Sequence, residues 1–151
     1  MKPLYIFDLD GTLALIDHRR HFINDKPARW KEFFAACVKD EPNAPVIRVM
    51  EALRLVGDVW IFSGRSDEVR SQTVDWLTKH TSFTHYDLLL ALMMRMEGDY
   101  TPDDELKQEW LRDMLTEDRE RIVAVFDDRD RVVQMWRRNG IACFQVAEGE
   151  F

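Results

Sequence analysis

The chain has 151 residues, enough for one compact domain with a sizeable core and too few for two ordinary ones. Apolar residues make up 46% and charged residues 32%, a globular balance without low-complexity runs, so disorder is not expected. Lys and Arg total 21 against 28 Asp and Glu, a net charge of −7, which argues against broad, sequence-independent binding of duplex nucleic acid.

Leu4 to Phe7 is an apolar run of strand length that ends at Asp8. It is too short and too soon interrupted for a signal peptide, and no later run is long enough to span a membrane. Cys37 and Cys143 lack metal-ligand spacing and are too few for a disulfide framework, so a reducing cytosol is the expected setting. From Leu13 to Asn43 the chain is rich in Arg, Lys and aromatics: Arg19, Arg20, Arg29, Trp30, Lys31, Phe33 and Phe34. This predicts a small, mostly helical insert at about residues 13–44, with Trp30 a candidate for stacking on a base.

Pro45 at a first-turn position, Val46, Met50 and Leu53 on one face, and Gly57 as a stop predict the next helix. Val59 to Phe62 reads as a second strand. Ser66 can cap a helix opened by Asp67 and Glu68 and carried by Val69, Val74 and Leu77. Leu88 to Leu92 is read as a third strand. Thr101-Pro102-Asp103-Asp104 predicts a helix start with a capping hydroxyl, Pro in the first turn and an acid three residues after the cap. Ile122 to Phe126 and Ala142 to Val146 are the fourth and fifth strands, separated by a helix from Arg131 to Asn139 that Gly140 ends. Strands alternating with helices predict an α/β fold with a parallel sheet. Trp60 and Trp136 fit packing positions, and the four histidines show no pairing that suggests a metal site.

Ligands of open α/β sheets bind beyond the carboxyl ends of the strands, and the informative polar residues follow three of those ends. Asp8 and Asp10 follow the first strand, with Gly11 allowing a sharp turn. Two carboxylates so close repel unless a cation or a shared proton intervenes. Asp127 and Asp128 add two more, and hard oxygen ligands from two loops suit Mg²⁺ with a phosphate. A carboxylate nucleophile, Asp8, would form an acyl phosphate, and a second carboxylate, Asp10, would protonate the leaving oxygen and later activate water. Asp-x-Asp-Gly also resembles part of a calcium loop, but Thr12, Ala14 and the residues after them do not supply that loop's further ligands.

Ser63-Gly64-Arg65 offers a hydroxyl, a flexible backbone and a guanidinium before a helix, a set that cradles an anion; the same residues also describe an ordinary helix start. At about 100° per residue, Lys107 falls inside the apolar arc of Leu106, Trp110, Leu111, Met114 and Leu115. It must be paired, reach a phosphate, or snorkel to water. Asp103 lies one turn earlier on the same face and is placed either to orient Lys107 or to favour the helix dipole.

Together these motifs resemble the haloacid dehalogenase superfamily of phosphotransferases, in order and over almost the whole chain: Asp8-Leu9-Asp10-Gly11-Thr12, Ser63, Lys107 and Asp127-Asp128. Val132 to Arg138, followed by Cys143-Phe144-Gln145-Val146-Ala147, is similar to the end of the phosphatase domain of phage polynucleotide kinase-phosphatases. Arg19 falls where that family carries a substrate-contacting arginine, and Ser63-Gly64-Arg65 and Asp103-Asp104 with Lys107 are similar to its other motifs. The resemblance implies a Rossmann-like three-layer sandwich with a mostly parallel five-stranded sheet, a helical cap insert and a single domain over 1–151. It implies Mg²⁺ held by Asp8, the Asp10 backbone carbonyl, Asp127 and Asp128. It implies removal of phosphate from a nucleic-acid 3′ end or a nucleotide, and a phage-like origin acting in a host cytoplasm. No Gly-x-x-x-x-Gly-Lys-Ser/Thr loop is present, so 5′-phosphorylation is not expected. Two other readings stand beside the 3′-phosphatase: a phosphatase of free nucleotides, favoured by the acidic charge, and a non-enzymatic, metal-dependent interaction module.

Overall fold

The first strand, β1 (Leu4–Phe7), lies at the centre of a five-stranded sheet in the computed structural model, which describes residues 1–151. After it come β2 (Ala14–Leu15), a 3₁₀ turn (Asp17–Arg19), α1 (His21–Asn24), α2 (Trp30–Ala35), a second 3₁₀ turn (Ala36–Lys39), β3 (Glu41–Pro42) and α3 (Ala44–Arg54). The chain continues with β4 (Asp58–Ser66), a 3₁₀ turn (Asp67–Val69), α4 (Arg70–His80), α5 (His85–Ala91) and β5 (Leu92–Arg95). It closes with α6 (Asp103–Asp113), α7 (Thr116–Glu120), β6 (Ile122–Asp127), α8 (Asp130–Arg138) and β7 (Cys143–Gln145).

The sheet order is β5-β4-β1-β6-β7, and every neighbouring pair is parallel. A parallel sheet is covered on both faces, so its strands carry apolar side chains in both directions. In β1, Leu4 and Ile6 enter one core with Leu111 of α6 and Val132, Val133, Met135 and Trp136 of α8. Phe7 enters the other core with Ile47 and Met50 of α3, Trp76 and Leu77 of α4 and Leu88 of α5. The two-residue period of the strand thus divides three layers. No helix is long and apolar enough to cross a membrane.

Residues 14–42 form a small cover over the sheet's carboxyl end, closed by the antiparallel pairing of β2 with β3. Phe33, Phe34 and Cys37 of this segment join the same core as Phe7.

Three local readings are corrected. Leu88 to Ala91 are helical, not strand: Thr84 and Asp87 form a reciprocal capping box that starts α5, and the third strand begins at Leu92. Thr101 does not cap α6; its hydroxyl bonds Asp99 at 2.6 Å, and Pro102 itself stands at the N-cap. Ser66 does cap, accepting from the Glu68 N–H at 3.3 Å, but the turn it starts is 3₁₀ before α4 begins at Arg70.

Candidate active site

β4, β1 and β6 are adjacent in the sheet, so the loops at their carboxyl ends meet. Beyond β1 the chain turns tightly: the N–H groups of Thr12, Leu13 and Ala14 all point at the Leu9 carbonyl, at 3.2, 3.0 and 3.0 Å. Gly11 sits there at φ +85°, and a Cβ on it would lie 2.7 Å from Cγ of Asp128. Only glycine meets both demands, the left-handed backbone and the close approach of the loop after β6.

That approach brings together Asp8, Asp127 and Asp128, all buried, with a carboxylate oxygen from each within 4.8 Å of the others. Lys107 of α6 reaches in from the side. Its ammonium donates to Asp8 at 2.7 Å and to Asp127 at 2.9 Å. The wheel position inside the apolar arc is explained: the stem crosses the core and the charge ends on two acids. The Thr12 hydroxyl donates to the other oxygen of Asp8 at 3.0 Å. Asp127 also accepts from the N–H groups of Asp128 and Arg129 at 2.9 and 3.3 Å, which fixes its rotamer.

Charge is crowded at this point. Burial, then the charge of Asp127, pushes Asp8 well above the ordinary carboxylate range, with Lys107 opposing. Burial and the same Asp127 charge push Asp128 up to about 6. Burial alone would lower Lys107, but Asp127 and Asp8 overturn that and hold it firmly protonated. Three carboxylates with one ammonium leave excess negative charge at a point of hard oxygen donors, which fits Mg²⁺. The Asp10 side chain, expected among the metal ligands, is not part of this cluster.

Asp10 instead faces two guanidiniums. Arg65 donates to its Oδ1 at 2.5 Å and Arg19 at 2.7 Å. Burial would raise its pKa, but the charges of Arg65 and Arg19 hold it far below the usual carboxylate range. Both arginines are fully enclosed and share a second acid, Asp40. Arg19 grips Asp40 with two bonds of 2.7 Å, and Arg65 adds one of 3.1 Å. His18 bonds the same carboxylate at 2.7 Å. The Arg19 guanidinium also lies 4.3 Å over the Phe33 ring.

Ser63 is buried and its hydroxyl accepts from the Arg65 N–H at 3.1 Å. Gly64 passes against Asp103: a Cβ there would lie 2.7 Å from Cγ of Asp103. Asp103 makes no hydrogen bond to Lys107. It accepts from Arg95 at 2.9 Å and lies 3.5 Å from Arg129, while its charge still helps raise Lys107. Arg95, unforeseen in the sequence, also donates to the carbonyls of Gly64, Asp99 and Thr101 at 2.7, 3.1 and 2.6 Å, tying the loop after β5 to the end of β4.

A cavity of about 500 Å³ opens above the acids, lined by Asp8, Asp10, Asp127 and Asp128 at one end and by Trp30, Lys31, Phe33 and Phe34 of α2 at another. Gly64 and Asp103 line it; Arg19, Ser63, Arg65 and Lys107 stand behind that lining.

Fold and site together define a phosphatase of the haloacid dehalogenase superfamily. The sequence pattern of the polynucleotide kinase PNKP phosphatase domain matches residues 2–151, and the chain belongs to that family. It is 31% identical over 132 residues to a protein of Autographa californica nuclear polyhedrosis virus described as a putative bifunctional polynucleotide kinase/RNA ligase, covering 86% of this chain and 17% of that protein. Among solved structures, a chain of the Pnkp1/Rnl/Hen1 RNA repair complex matches with TM-score 0.80 and 31% identity, over 99% of this chain and 44% of that one. A haloacid dehalogenase family enzyme from Bacteroides thetaiotaomicron, in complex with magnesium and inorganic phosphate, shares the fold at TM-score 0.56 and 15% identity, over 100% of this chain and 97% of that one. The chain therefore spans less than half the length of the first two relatives. Family membership sets aside the reading as a non-enzymatic interaction module.

Proposed function

We propose that this domain is a Mg²⁺-dependent phosphomonoesterase that removes the 3′-phosphate from a nucleic-acid end through an aspartyl-phosphate on Asp8. The observation that carries the reading is the meeting of Asp8, Asp127, Asp128 and Lys107 at one buried point, with Asp10 two residues on and held apart from it. Bound at Asp8, Asp127, Asp128 and the Asp10 carbonyl, Mg²⁺ would offset the repulsion between nucleophile and phosphate and clamp the transferring group. Lys107 and Thr12 orient the two Asp8 oxygens, so one carboxylate face is held toward the incoming phosphorus. An Asp8 oxygen bonds to phosphorus as the bond to the sugar 3′-oxygen breaks. Asp10 hands that oxygen a proton. Resting Asp10 is a carboxylate, so the proton arrives with a monoprotonated phosphate ester, whose negative charge also counters the pull of Arg19 and Arg65. In the second half Asp10 takes a proton from water as the water oxygen attacks phosphorus and the bond to Asp8 breaks; Asp10 then passes that proton to the departing phosphate and is again a carboxylate.

Residues 13–44 serve as the cap of a single domain, and Arg19, Ser63, Gly64, Arg65 and Asp103 shape the phosphate side of the site. The viral relative and the repair-complex relative support a nucleic-acid substrate; a phage-like origin and action in a host cytoplasm rest on the sequence resemblance. A second reading, hydrolysis of free nucleotides, is favoured by the net charge of −7 and by a cavity of single-nucleotide scale. The test compares a 3′-phosphorylated oligonucleotide with a nucleoside 3′-monophosphate, with and without Mg²⁺, for wild type, Asp8→Asn and Asp10→Asn. Mg²⁺-dependent turnover of the oligonucleotide, lost in both variants, is expected. Strong preference for the monomer selects the second reading, and unchanged rates in both variants refute the assigned roles.

A further inference from the structure

Away from the carboxylates, the cavity has an aromatic wall with no part in the phosphate chemistry. Trp30 stands at the first position of α2, 39% exposed and lining the cavity. Its indole is braced by two neighbours: the Phe33 ring meets it edge-on at 5.9 Å and 86°, and Phe34 lies at 6.0 Å and 26°. Phe33 and Phe34 are themselves buried in the core. Phe33 carries the Arg19 guanidinium on its ring, and Arg19 holds Asp10. The indole is therefore linked through two side chains to the proposed proton shuttle, in the same cavity as the nucleophile. An aromatic left partly exposed on a buried backing inside a cavity offers a flat apolar face on which a flat partner can stack.

A nucleobase is such a partner. Aromatic side chains on which bases stack recognise every base, because each has a π-face. The cavity, at about 500 Å³, lies within the range of small-ligand sites, about 300–1,000 Å³, which suits one nucleotide unit. Lys31, next in α2, lines the same space and supplies a cation without demanding a sequence.

We propose that Trp30 forms a terminal-nucleobase subsite: the base of the nucleotide that carries the 3′-phosphate stacks on the indole while its phosphate reaches Asp8. This rests on the 3′-phosphatase reading and adds what that reading leaves open, the part of the substrate that is gripped and the absence of base preference. The acidic protein then holds its substrate by one stacked base in place of a basic track.

The test measures kcat and KM with Mg²⁺ for two oligonucleotides that differ only at the 3′-terminal unit, one with a normal base and one with an abasic sugar, each bearing a 3′-phosphate. Wild type is expected to favour the normal terminus by about 5- to 150-fold in kcat/KM, the range that stacking of one base confers. The four bases are expected to differ little. Trp30→Ala and Trp30→Leu, the latter keeping apolar bulk over Phe33 and Phe34, are expected to bring the ratio close to one, mainly through KM on the normal substrate. Trp30→Phe is expected to retain most of the preference. A wild-type ratio near one, or equal losses on both substrates in Trp30→Leu, overturns the subsite and leaves the phosphatase reading intact. Failure of wild type on both substrates, with activity on free nucleotides, overturns the parent reading.

Discussion

Replacing Lys107 by methionine removes the one cation inside a cluster of three acids. The stem volume is nearly kept, so the loss is chiefly of charge. Two bonds disappear, 2.7 Å to Asp8 and 2.9 Å to Asp127, between side chains at most 6% exposed. Removing one partner of a buried ion pair costs about 3–5 kcal/mol. For a chain near 150 residues each kcal/mol is worth about 2–4 °C, so the melting temperature in EDTA is expected to fall by roughly 6–20 °C. Mg²⁺ supplies positive charge at the same point, so the variant is expected to gain more from millimolar Mg²⁺ than wild type does. Its activity stays at least about 100-fold below wild type even when Mg²⁺ saturates, because the fixed donor beside the nucleophile is gone. Thermal melts of both proteins across a Mg²⁺ titration measure the first effect and steady-state rates the second. An unchanged melting point in EDTA, or identical Mg²⁺ shifts in the two proteins, would refute the charge balance described for this cluster.

Neighbouring groups carry their own consequences. Asp10→Asn is expected to slow hydrolysis of an alkyl 3′-phosphate by about 10²–10⁴-fold, and of an aryl phosphate with a good leaving group much less in the first, phosphate-transferring step, as burst kinetics will show. The raised Asp128 makes the metal-free fold bind a proton that the unfolded chain releases between pH 3.8 and about 6. Stability in EDTA should therefore fall as pH rises through that window, seen in denaturation midpoints, with Asp128→Asn flattening the slope. Mg²⁺ affinity should rise over the same window. Gly64→Ala would drive a methyl into the Asp103 carboxylate and displace it from Arg95. A several-fold loss of kcat/KM with little change in melting point is expected, since Asp103 is at the cavity surface and not in the core.

Which parts of this molecule could be read beforehand depended on how locally they were written. β1, β4 and β6 were legible because short apolar runs stop at Asp8, Ser63 and Asp127, and the sheet then brings those stops together. Lys107 was legible because a single cation in an apolar helical arc needs a partner. Asp40 was not. It stands between Lys39 and Glu41, a charged stretch that reads as solvated surface, and its burial depends on Arg19 and Arg65 from two distant segments. Arg95 was missed for the same reason: its partners, Gly64, Asp99, Thr101 and Asp103, are defined only once β4 and β5 pair. The misplaced third strand had a readable warning. Thr84 and Asp87 spell a capping box, and the leucines after it fit a helix as well as a strand.

Asp40 also fastens the cover to the body of the protein. Its carboxylate joins Arg19 and His18 of the cover to Arg65 of β4, and its carbonyl accepts from the Trp76 indole of α4 at 2.8 Å. Swinging the cover outward would part Arg19 from Asp10 and Arg65 from Asp40 and wet Phe33, Phe34 and Cys37 together, a cost of several kcal/mol, roughly the 3–5 kcal/mol of one broken buried pair or more. Ion pairs that bolt the cover in this way oppose its hinging. Selection would then fall to the shape of the cavity beneath it, with no closing motion required.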